Sequence, residues 1–223
     1  ANVICTICII SISDISIYRK GSLDFYDSVI LVGPFQKESI RKLEAIRGIK
    51  EKKFLPLGVP YLDFLIEKEK KTNNLKKTIL IGSSWGKKGC LRIYGTEFIK
   101  QLAKREYKII VRPHPYSMLY EKKFIKKCRE ELEKIENLTW DNSVNPSESM
   151  NRSDLLISDT SSLRFDFFLV HKKPVITLDI QTKDMEGYER KYLDKNWTDT
   201  SSLEIGPVIT KETINCLESE IKT

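Results

Sequence analysis

The sequence has few of the residues that would indicate a metal centre, a disulfide scaffold or a membrane span. It holds two histidines and five cysteines in 223 residues. The odd number and scattered spacing of the cysteines argue against a disulfide framework and favour a reducing cytoplasm. The longest apolar runs are strand-sized, well short of the ~18 residues that a transmembrane helix needs. No basic segment precedes the first apolar run, so we expect neither a signal peptide nor a transmembrane anchor.

Cys5 and Cys8 form a CxxC pair, but the pair lies inside an apolar run that is typical of a β-strand. A redox CxxC opens a helix, and a zinc site needs a second pair of ligands. The sequence supplies neither, so we predict no metal site and no cofactor.

The formal charge of +7 is compatible with a nucleic-acid partner, with an anionic membrane surface, or with solvated helix faces. Residues 120–136 favour the last interpretation, because Phe124, Cys128, Leu132 and Ile135 recur at helical spacing between charged residues. A nucleic-acid module should interleave aromatic residues with its basic patch. Here the aromatic residues mostly occupy core spacings, so we expect no nucleic-acid partner.

Apolar runs alternate with helical patterns along the chain, which predicts βαβ units and an α/β fold. Most of the runs lack polar alternation, as expected for parallel strands that are covered on both faces. Strands are predicted at residues 2–10, 28–33, 53–58, 78–82, 108–112, 155–158 and 174–179, and helices at 35–48, 92–107, 119–136 and 162–171.

A lysine-rich segment over residues 67–77 has almost no apolar content and is typical of an exposed linker or hinge. Residues 78–223 after it are predicted to form a doubly wound, parallel-sheet C-terminal domain. Residues 1–66 before it hold about three strands and one clear helix. We therefore expect them to be part of an N-terminal Rossmann-like domain whose front is missing.

Polar residues follow two strands at the edge where ligands gather in an open parallel sheet. Ser83 and Ser84 open a loop rich in glycine and lysine, which is about as compatible with a plain loop as with an anion site. His114 lies between two prolines just after a strand, beside Arg112. Both side chains could donate to phosphate oxygens, although a structural histidine that caps a backbone carbonyl is the alternative.

A third strand end carries Ser161 and Ser162 at the start of a predicted helix. Serine at this position satisfies free amide groups, and the same amides with the helix dipole can bind an anion. Simple capping is the alternative. Together the three strand ends predict a cradle for a diphosphate. His171 lies at the other end of this helix, and we interpret it as a structural cation that favours the helix dipole.

At these residues the sequence resembles the CDP-glycerol glycerophosphotransferase family, the teichoic-acid polymerases and primases. The resemblance is carried by Ser158-Asp159-Thr160-Ser161-Ser162, Phe165-Asp166-Phe167, Lys173-Pro174-Val175-Ile176, His114-Pro115, Gly58-Val59-Pro60-Tyr61-Leu62-Asp63 and Gly206-Pro207. It is strongest over residues 109–180. Thr160 departs from the family pattern, which has an aromatic residue there.

The resemblance implies a GT-B-like fold of two Rossmann-like lobes, with the donor in the C-terminal lobe. It implies transfer of glycerol phosphate, or a related alditol phosphate, from a CDP-alditol to a hydroxyl of a surface polymer, with release of CMP. His114, Ser161 and Ser162 would then hold the donor pyrophosphate, with Arg112 adding charge and His114 acting in catalysis. By analogy with GT-B proteins, Trp140, Asn142 and Ser143 would lie at the nucleotide base.

Two further expectations follow from the resemblance. The acceptor would be a polymer or a lipid-linked molecule, and the protein would be cytoplasmic and peripheral at the inner, anionic face of the plasma membrane.

The family's His-Gly motif, which holds its general base, is absent from the sequence. A GT-B glycosyltransferase that uses a nucleotide sugar for capsule or lipopolysaccharide synthesis is the alternative function.

Overall fold

The computed structural model describes residues 3–105, 107–180, 186–193 and 197–222. The chain forms two compact units, the first from the described parts of Ala1–Phe64 and Thr182–Ser201 and the second from those of Leu65–Gln181 and Ser202–Thr223. The boundary near residue 64 lies close to the predicted linker. Residues 182–201 group with the first unit, whereas the sequence placed them in the C-terminal domain.

The first unit contains a three-stranded parallel sheet in the order β1-β2-β3. Its strands are β1 (Thr6–Cys8), β2 (Ser28–Ile30) and β3 (Lys53–Leu55), and α1 (Phe35–Arg47) crosses between the last two. Ile9, Ile15 and Val29 belong to its buried apolar cluster. Cys5 and Cys8 are exposed free thiols.

The second unit contains a six-stranded parallel sheet in the order β6-β5-β4-β7-β8-β9. The strands are β4 (Thr78–Ser83), β5 (Lys108–Pro113), β6 (Leu138–Trp140), β7 (Leu155–Ser158), β8 (Val175–Leu178) and β9 (Val208–Ile209). Every residue of β4, β7 and β8 is buried, as their continuous apolar sequences predict. The α/β class and the doubly wound parallel sheet are thus confirmed.

The remaining α-helices of the described chain follow β3 in sequence. They are α2 (Pro60–Glu67), α3 (Cys90–Ile93), α4 (Glu97–Ala103), α5 (Pro115–Tyr120), α6 (Lys122–Leu132), α7 (Ser147–Asn151), α8 (Leu163–His171), α9 (Trp197–Ile205) and α10 (Leu217–Lys222). Two predicted helices are each divided in the structure. The pattern over 92–107 breaks between α3 and α4, and the pattern over 119–136 is preceded by α5, which begins at a proline.

Gly206 turns the chain from α9 into β9. A Cβ atom at this position would lie 1.9 Å from the carbonyl oxygen of Val175 in β8. Only glycine permits such a close approach to a neighbouring strand. The Gly206-Pro207 motif therefore has a packing role in the second sheet.

The segment predicted as a linker contains no helix or strand between the end of α2 and the start of β4. The Asn151 side chain nevertheless holds it, donating to the Lys68 carbonyl at 2.9 Å and accepting from the Lys70 amide at 3.0 Å. The Thr72 hydroxyl adds a 2.6 Å bond to the Asn151 carbonyl. This part of the chain is therefore docked on the second unit rather than free.

Candidate functional site

The order of the six-stranded sheet defines a position where a ligand is expected to bind. Numbered within the second unit, the strands follow the order 3-2-1-4-5-6, so the direction of winding reverses between β4 and β7. Ligands of doubly wound sheets bind outside the carboxyl ends of the strands at this reversal. Gly82 of β4 pairs with Arg112 on one side and with Ser158 on the other. The segments that follow β4, β5 and β7 therefore begin at the same edge.

Asp159 connects the segments at this edge. Its carboxylate is fully buried and accepts four hydrogen bonds. One oxygen accepts from the amides of Ser84 at 2.8 Å and Cys90 at 2.7 Å, and the other accepts from the Ser84 hydroxyl at 2.5 Å and the Ser161 amide at 3.1 Å. One side chain thus sets the position of the loop after β4, the start of α3 and the turn before α8.

The loop after β4 is held at a second point by Glu121. This carboxylate accepts from the Gly86 amide at 2.9 Å and the Ser117 hydroxyl at 2.7 Å, and it pairs with Arg92 at 3.0 Å. Burial alone would raise the pKa of Glu121, but these hydrogen bonds and the Arg92 charge outweigh it and lower the pKa. Gly89 closes the loop, because a Cβ atom there would lie 2.2 Å from the Ser84 carbonyl oxygen. The loop is therefore fixed before any ligand binds.

His114 follows β5 and caps α5. Its Nδ1 atom accepts the Tyr116 amide at 3.1 Å, so in the neutral ring the proton is on Nε2. Partial burial lowers the pKa of His114, and the Arg112 charge adds to this, while the Asp159 charge opposes it. His114 is thus a capping residue, but it accepts a backbone amide rather than capping a carbonyl as in the predicted alternative. This leaves Nε2–H as a hydrogen-bond donor at the strand edge.

Ser161 and Ser162 lie at the start of α8, two strands away from His114. The spacing of adjacent strands places the two segments about 10 Å apart. The Ser161 hydroxyl accepts the Leu163 amide at 3.3 Å, and the Arg164 Nε atom donates to the Ser161 carbonyl at 3.1 Å. Ser162 precedes the helix with helical backbone angles, and its side chain makes no capping bond. One serine therefore caps the helix, and the second serine does not take part in capping.

Arg112 is buried and engaged within the protein. Its guanidinium group pairs with Asp141 at 2.5 Å, and it donates to the Ser143 hydroxyl at 3.2 Å and the Val144 carbonyl at 2.9 Å. Burial would raise the pKa of Asp141, but hydrogen bonds from Ser143 and Ser149 and the Arg112 charge lower it. The structure thus places Arg112 under the loop after β6 rather than among the predicted phosphate ligands, and it acts on His114 through its charge alone.

The three residues predicted at the nucleotide base lie around the end of β6. Trp140 packs against the apolar core, and the Arg129 guanidinium lies 4.9 Å from its ring centroid. Arg129 also donates to the Asn142 side chain at 2.6 Å. The Ser143 hydroxyl bonds to Asp141 at 2.6 Å. These residues form an ordered loop at the same sheet edge, but each is already engaged by a neighbour.

His171 differs from its predicted cationic role. Burial and the nearby Lys173 charge lower its pKa, although Glu69 opposes the change. Its ring centroid lies 5.4 Å from that of Phe167. A neutral imidazole packed on an aromatic ring is a structural element, as expected, but it does not supply the positive charge that would favour the helix dipole.

Two residues that organise the site were missed as site residues by the sequence argument. Asp159 is given no role of its own in the sequence analysis beyond the Ser158–Ser162 motif, although an acidic residue directly after a buried strand is a usable signal. Glu121 carried no signal, because it lies in a charged stretch that matches a solvated helix face. Asp166 on α8 is buried without a charged neighbour, and burial raises its pKa to about 7.

A separate cavity of about 330 Å³ lies in the first unit. The Asp14 carboxylate at its wall is buried and accepts the Ser16 amide at 2.8 Å, and burial raises its pKa despite this bond. Phe35 and Trp197 line the cavity and stack with their ring centroids 3.8 Å apart.

Two other kinds of site are not found among the described residues. None of the helices there is both long and apolar enough to cross a membrane. Across residues 3–105, 107–180, 186–193 and 197–222, no group of three or more His, Cys, Asp or Glu side chains is placed to hold a metal ion.

The sequence and the structure are similar to proteins of teichoic-acid synthesis. The model of the family "CDP-Glycerol:Poly(glycerophosphate) glycerophosphotransferase" matches residues 19–220. The teichoic acid glycerol-phosphate primase of Bacillus spizizenii is 29% identical over 193 residues, with coverage of 80% of this chain and 45% of that protein.

Two solved structures share the fold at low sequence identity. A variant of the wall teichoic acid polymerase TagF matches with a TM-score of 0.51 and 22% identity, over 89% of this chain and 49% of that one. A UDP-GlcNAc 2-epimerase from Methanocaldococcus jannaschii matches with a TM-score of 0.52 and 16% identity, over 89% of this chain and 55% of that one. The chain thus spans about half the length of these relatives, and the GT-B-like fold class is confirmed.

Proposed function

Since this chain belongs to the CDP-glycerol:poly(glycerophosphate) glycerophosphotransferase family, we propose that it provides the donor-binding part of a glycerophosphotransferase. The reaction transfers glycerol phosphate from CDP-glycerol to a hydroxyl of a teichoic-acid-type polymer and releases CMP. The observation that carries the proposal is the Asp159 network, which fixes the segments after β4 and β7 at one sheet edge. His114 follows the adjacent strand β5 at the same edge.

We propose that the donor diphosphate binds across the carboxyl ends of β5, β4 and β7. Nε2–H of His114 donates from one side, and the Ser162 hydroxyl donates from the other, at the N-terminal end of the α8 dipole. Amides at a helix N-terminus and the helix dipole favour an anion. Ser84 follows β4, the strand between β5 and β7, and its hydroxyl donates to Asp159.

The proposed site stabilises the leaving group of the reaction. The acceptor oxygen attacks the phosphorus that bears glycerol, the bond from this phosphorus to the bridging oxygen breaks, and CMP leaves with both electrons of that bond. Negative charge grows on the CMP phosphate, where preorganised donors lower the barrier. His114 is suited to donate a hydrogen bond from Nε2–H rather than to act as the general base, because its Nδ1 atom already accepts the Tyr116 amide. The acceptor proton must therefore pass to another base.

Calorimetry on the chain tests the proposal without requiring turnover. We expect binding of CDP-glycerol in preference to UDP-N-acetylglucosamine. His114→Asn keeps a side chain that can cap α5 but lacks the Nε2 donor. Loss of one bond to a charged phosphate should weaken donor binding by roughly 10- to 100-fold.

His171→Asn is the matched control, because it changes the only other histidine. It should leave donor affinity unchanged. Tight binding of UDP-N-acetylglucosamine without binding of CDP-glycerol would instead assign the chain to nucleotide-sugar transfer. Equal donor affinity in wild type and His114→Asn would remove His114 from the site.

The polymer acceptor and an anionic membrane surface are further proposed partners. They are supported by the family membership and by the +7 formal charge. Neither partner is needed for the donor-binding test.

A further inference from the structure

Four large apolar side chains form an exposed cluster beside His114, which we name the aromatic patch. Its members are Trp85, Tyr116, Leu119 and Tyr120, with 50%, 48%, 59% and 74% of their surface exposed. The ring centroids of Trp85 and Tyr116 are 5.4 Å apart, and those of Tyr116 and Tyr120 are 5.8 Å apart. The rings thus form one continuous surface rather than scattered exposed residues.

The local structure directs this surface outward. Ser117 on the opposite side of α5 is buried, and its hydroxyl bonds to Glu121. The same carboxylate holds Gly86 in the loop that carries Trp85. Because the partly buried Glu121 side chain fixes both segments, the aromatic patch is a preformed surface.

Positive charge borders the aromatic patch. Lys87, Lys122 and Lys123 are exposed, and we name them the lysine rim. Within the described part of the chain no ion pair is formed by these three lysines, whereas Lys126 and Lys127 one turn further along α6 pair with Glu130 and Glu131. The negative charge of Glu121, which lies between Tyr120 and Lys122 in the sequence, is balanced by its ion pair with Arg92.

We propose that the aromatic patch and the lysine rim form a docking surface for an anionic lipid bilayer. Tryptophan and tyrosine favour the headgroup region, where one end of the ring is apolar and the other is hydrated. Leu119 contributes an apolar side chain for the acyl boundary, and the lysine rim meets the negative surface potential. The surface adjoins the proposed donor site through the contact of His114 with Tyr116. It deepens the membrane association in the proposed function, but it does not depend on the identity of the donor.

Co-sedimentation with vesicles tests this surface on the whole chain. The wild type should bind vesicles that contain phosphatidylglycerol more tightly than vesicles of phosphatidylcholine alone. Leu119→Ser should weaken binding about tenfold, since a buried leucine side chain contributes roughly that much. The Lys122→Gln, Lys123→Gln double variant should weaken it roughly 25-fold, from about fivefold for each lysine near an anionic surface.

Each variant has a matched control in the same unit. Leu75→Ser changes a leucine that is fully exposed but lies outside the aromatic patch, and it should leave binding unchanged. Lys126→Gln with Lys127→Gln removes the same net charge from the same helix and should have a clearly smaller effect. Calorimetry with CDP-glycerol in the absence of lipid shows whether each variant keeps the folded donor site.

Three results would overturn the proposal. The first is no binding to phosphatidylglycerol vesicles by the wild type. The second is an equal effect of Leu119→Ser and Leu75→Ser. In the third, the patch variants lose binding to soluble poly(glycerol phosphate) but keep vesicle binding, which would assign the surface to the acceptor polymer. Failure of donor binding in calorimetry, with vesicle binding intact, would refute the proposed function but not this surface.

Discussion

Replacing Asp159 by asparagine should separate the organisation of the site from the stability of the fold. The substitution keeps the size of the side chain but turns one accepting oxygen into an NH₂ group. If the NH₂ group takes the position of the oxygen that accepts from the Ser84 and Cys90 amides, it faces two other donors and can bond to neither. If it replaces the other oxygen, the Ser84 hydroxyl can reverse and accept from it, and only the Ser161 amide loses its acceptor. The second orientation is therefore favoured.

The expected cost follows from the bonds that are lost. The orphaned Ser161 amide and the loss of charge on the remaining bonds should destabilise the fold by about 2–4 kcal/mol. The turn before α8 also loses its anchor, so we expect CDP-glycerol affinity to fall at least about tenfold. The Asp159 charge raises the pKa of His114, so the His114 titration should shift to lower pH in this variant.

Asp154→Asn is the matched control, because Asp154 lies at the other end of β7. Its carboxylate accepts the Thr78 amide at 2.8 Å and an Asn74 side-chain bond at 2.9 Å, at the amino ends of the strands. We expect a loss of stability in urea unfolding of the two variants, but reduced calorimetric affinity only in Asp159→Asn. If Asp154→Asn lowers donor affinity equally, or if Asp159→Asn binds donor like the wild type, the reasoning about this sheet edge is wrong.

Three further predictions concern the same unit. Ser161→Ala combined with Ser162→Ala should weaken CDP-glycerol binding by roughly 10-fold or more in calorimetry, and unchanged affinity would remove the start of α8 from the site. In an NMR titration, His114 should have a pKa below the ordinary 6.5 and shift on donor binding, while His171 should keep its value; a response of His171 alone would contradict the site. Asp166→Asn should leave stability unchanged at low pH and raise it at about pH 8, by up to about 4 kcal/mol. The folded protein keeps the Asp166 proton up to a pKa of about 7, whereas the unfolded chain releases it near 3.8. Wild-type stability therefore falls as pH rises between these two values. A pH-independent difference between the two proteins in urea unfolding would argue against this.

The second sheet could be predicted from the sequence because its strands are buried on both faces. β7 lies at the predicted residues, and β4, β5 and β8 differ from their predictions by one residue at one or both ends. β6 and β9 were missed, since strands of three and two residues leave no clear pattern. Alternation of strands and helices was enough for the fold class, whereas the order of the strands also needed the structure.

The candidate site was predictable in its location but not in its internal bonds. Placing His114 and Ser161 after parallel strands follows from local sequence and from the geometry of such sheets. The direction of a long side chain cannot be predicted in this way. Arg112 bonds to the loop after β6 instead of lying free for a phosphate. The bonds of Asp159 to Ser84 and Cys90 span 75 and 69 residues, and no local pattern contains information over that distance.

The first compact unit is discontinuous in sequence, and this affects how the protein must be made. Its three strands have been synthesised by residue 55. Arg47 can pair with the buried Glu189, and the Asp14 amide can bond to the Thr198 hydroxyl, only after the C-terminal part of the chain has been made. Most strands of the second sheet are thus synthesised before the C-terminal segment that completes the first unit. A chain that ends shortly after residue 180 would still contain β4, β5 and β7, which carry the proposed donor site. It would lack the segment that completes the first unit.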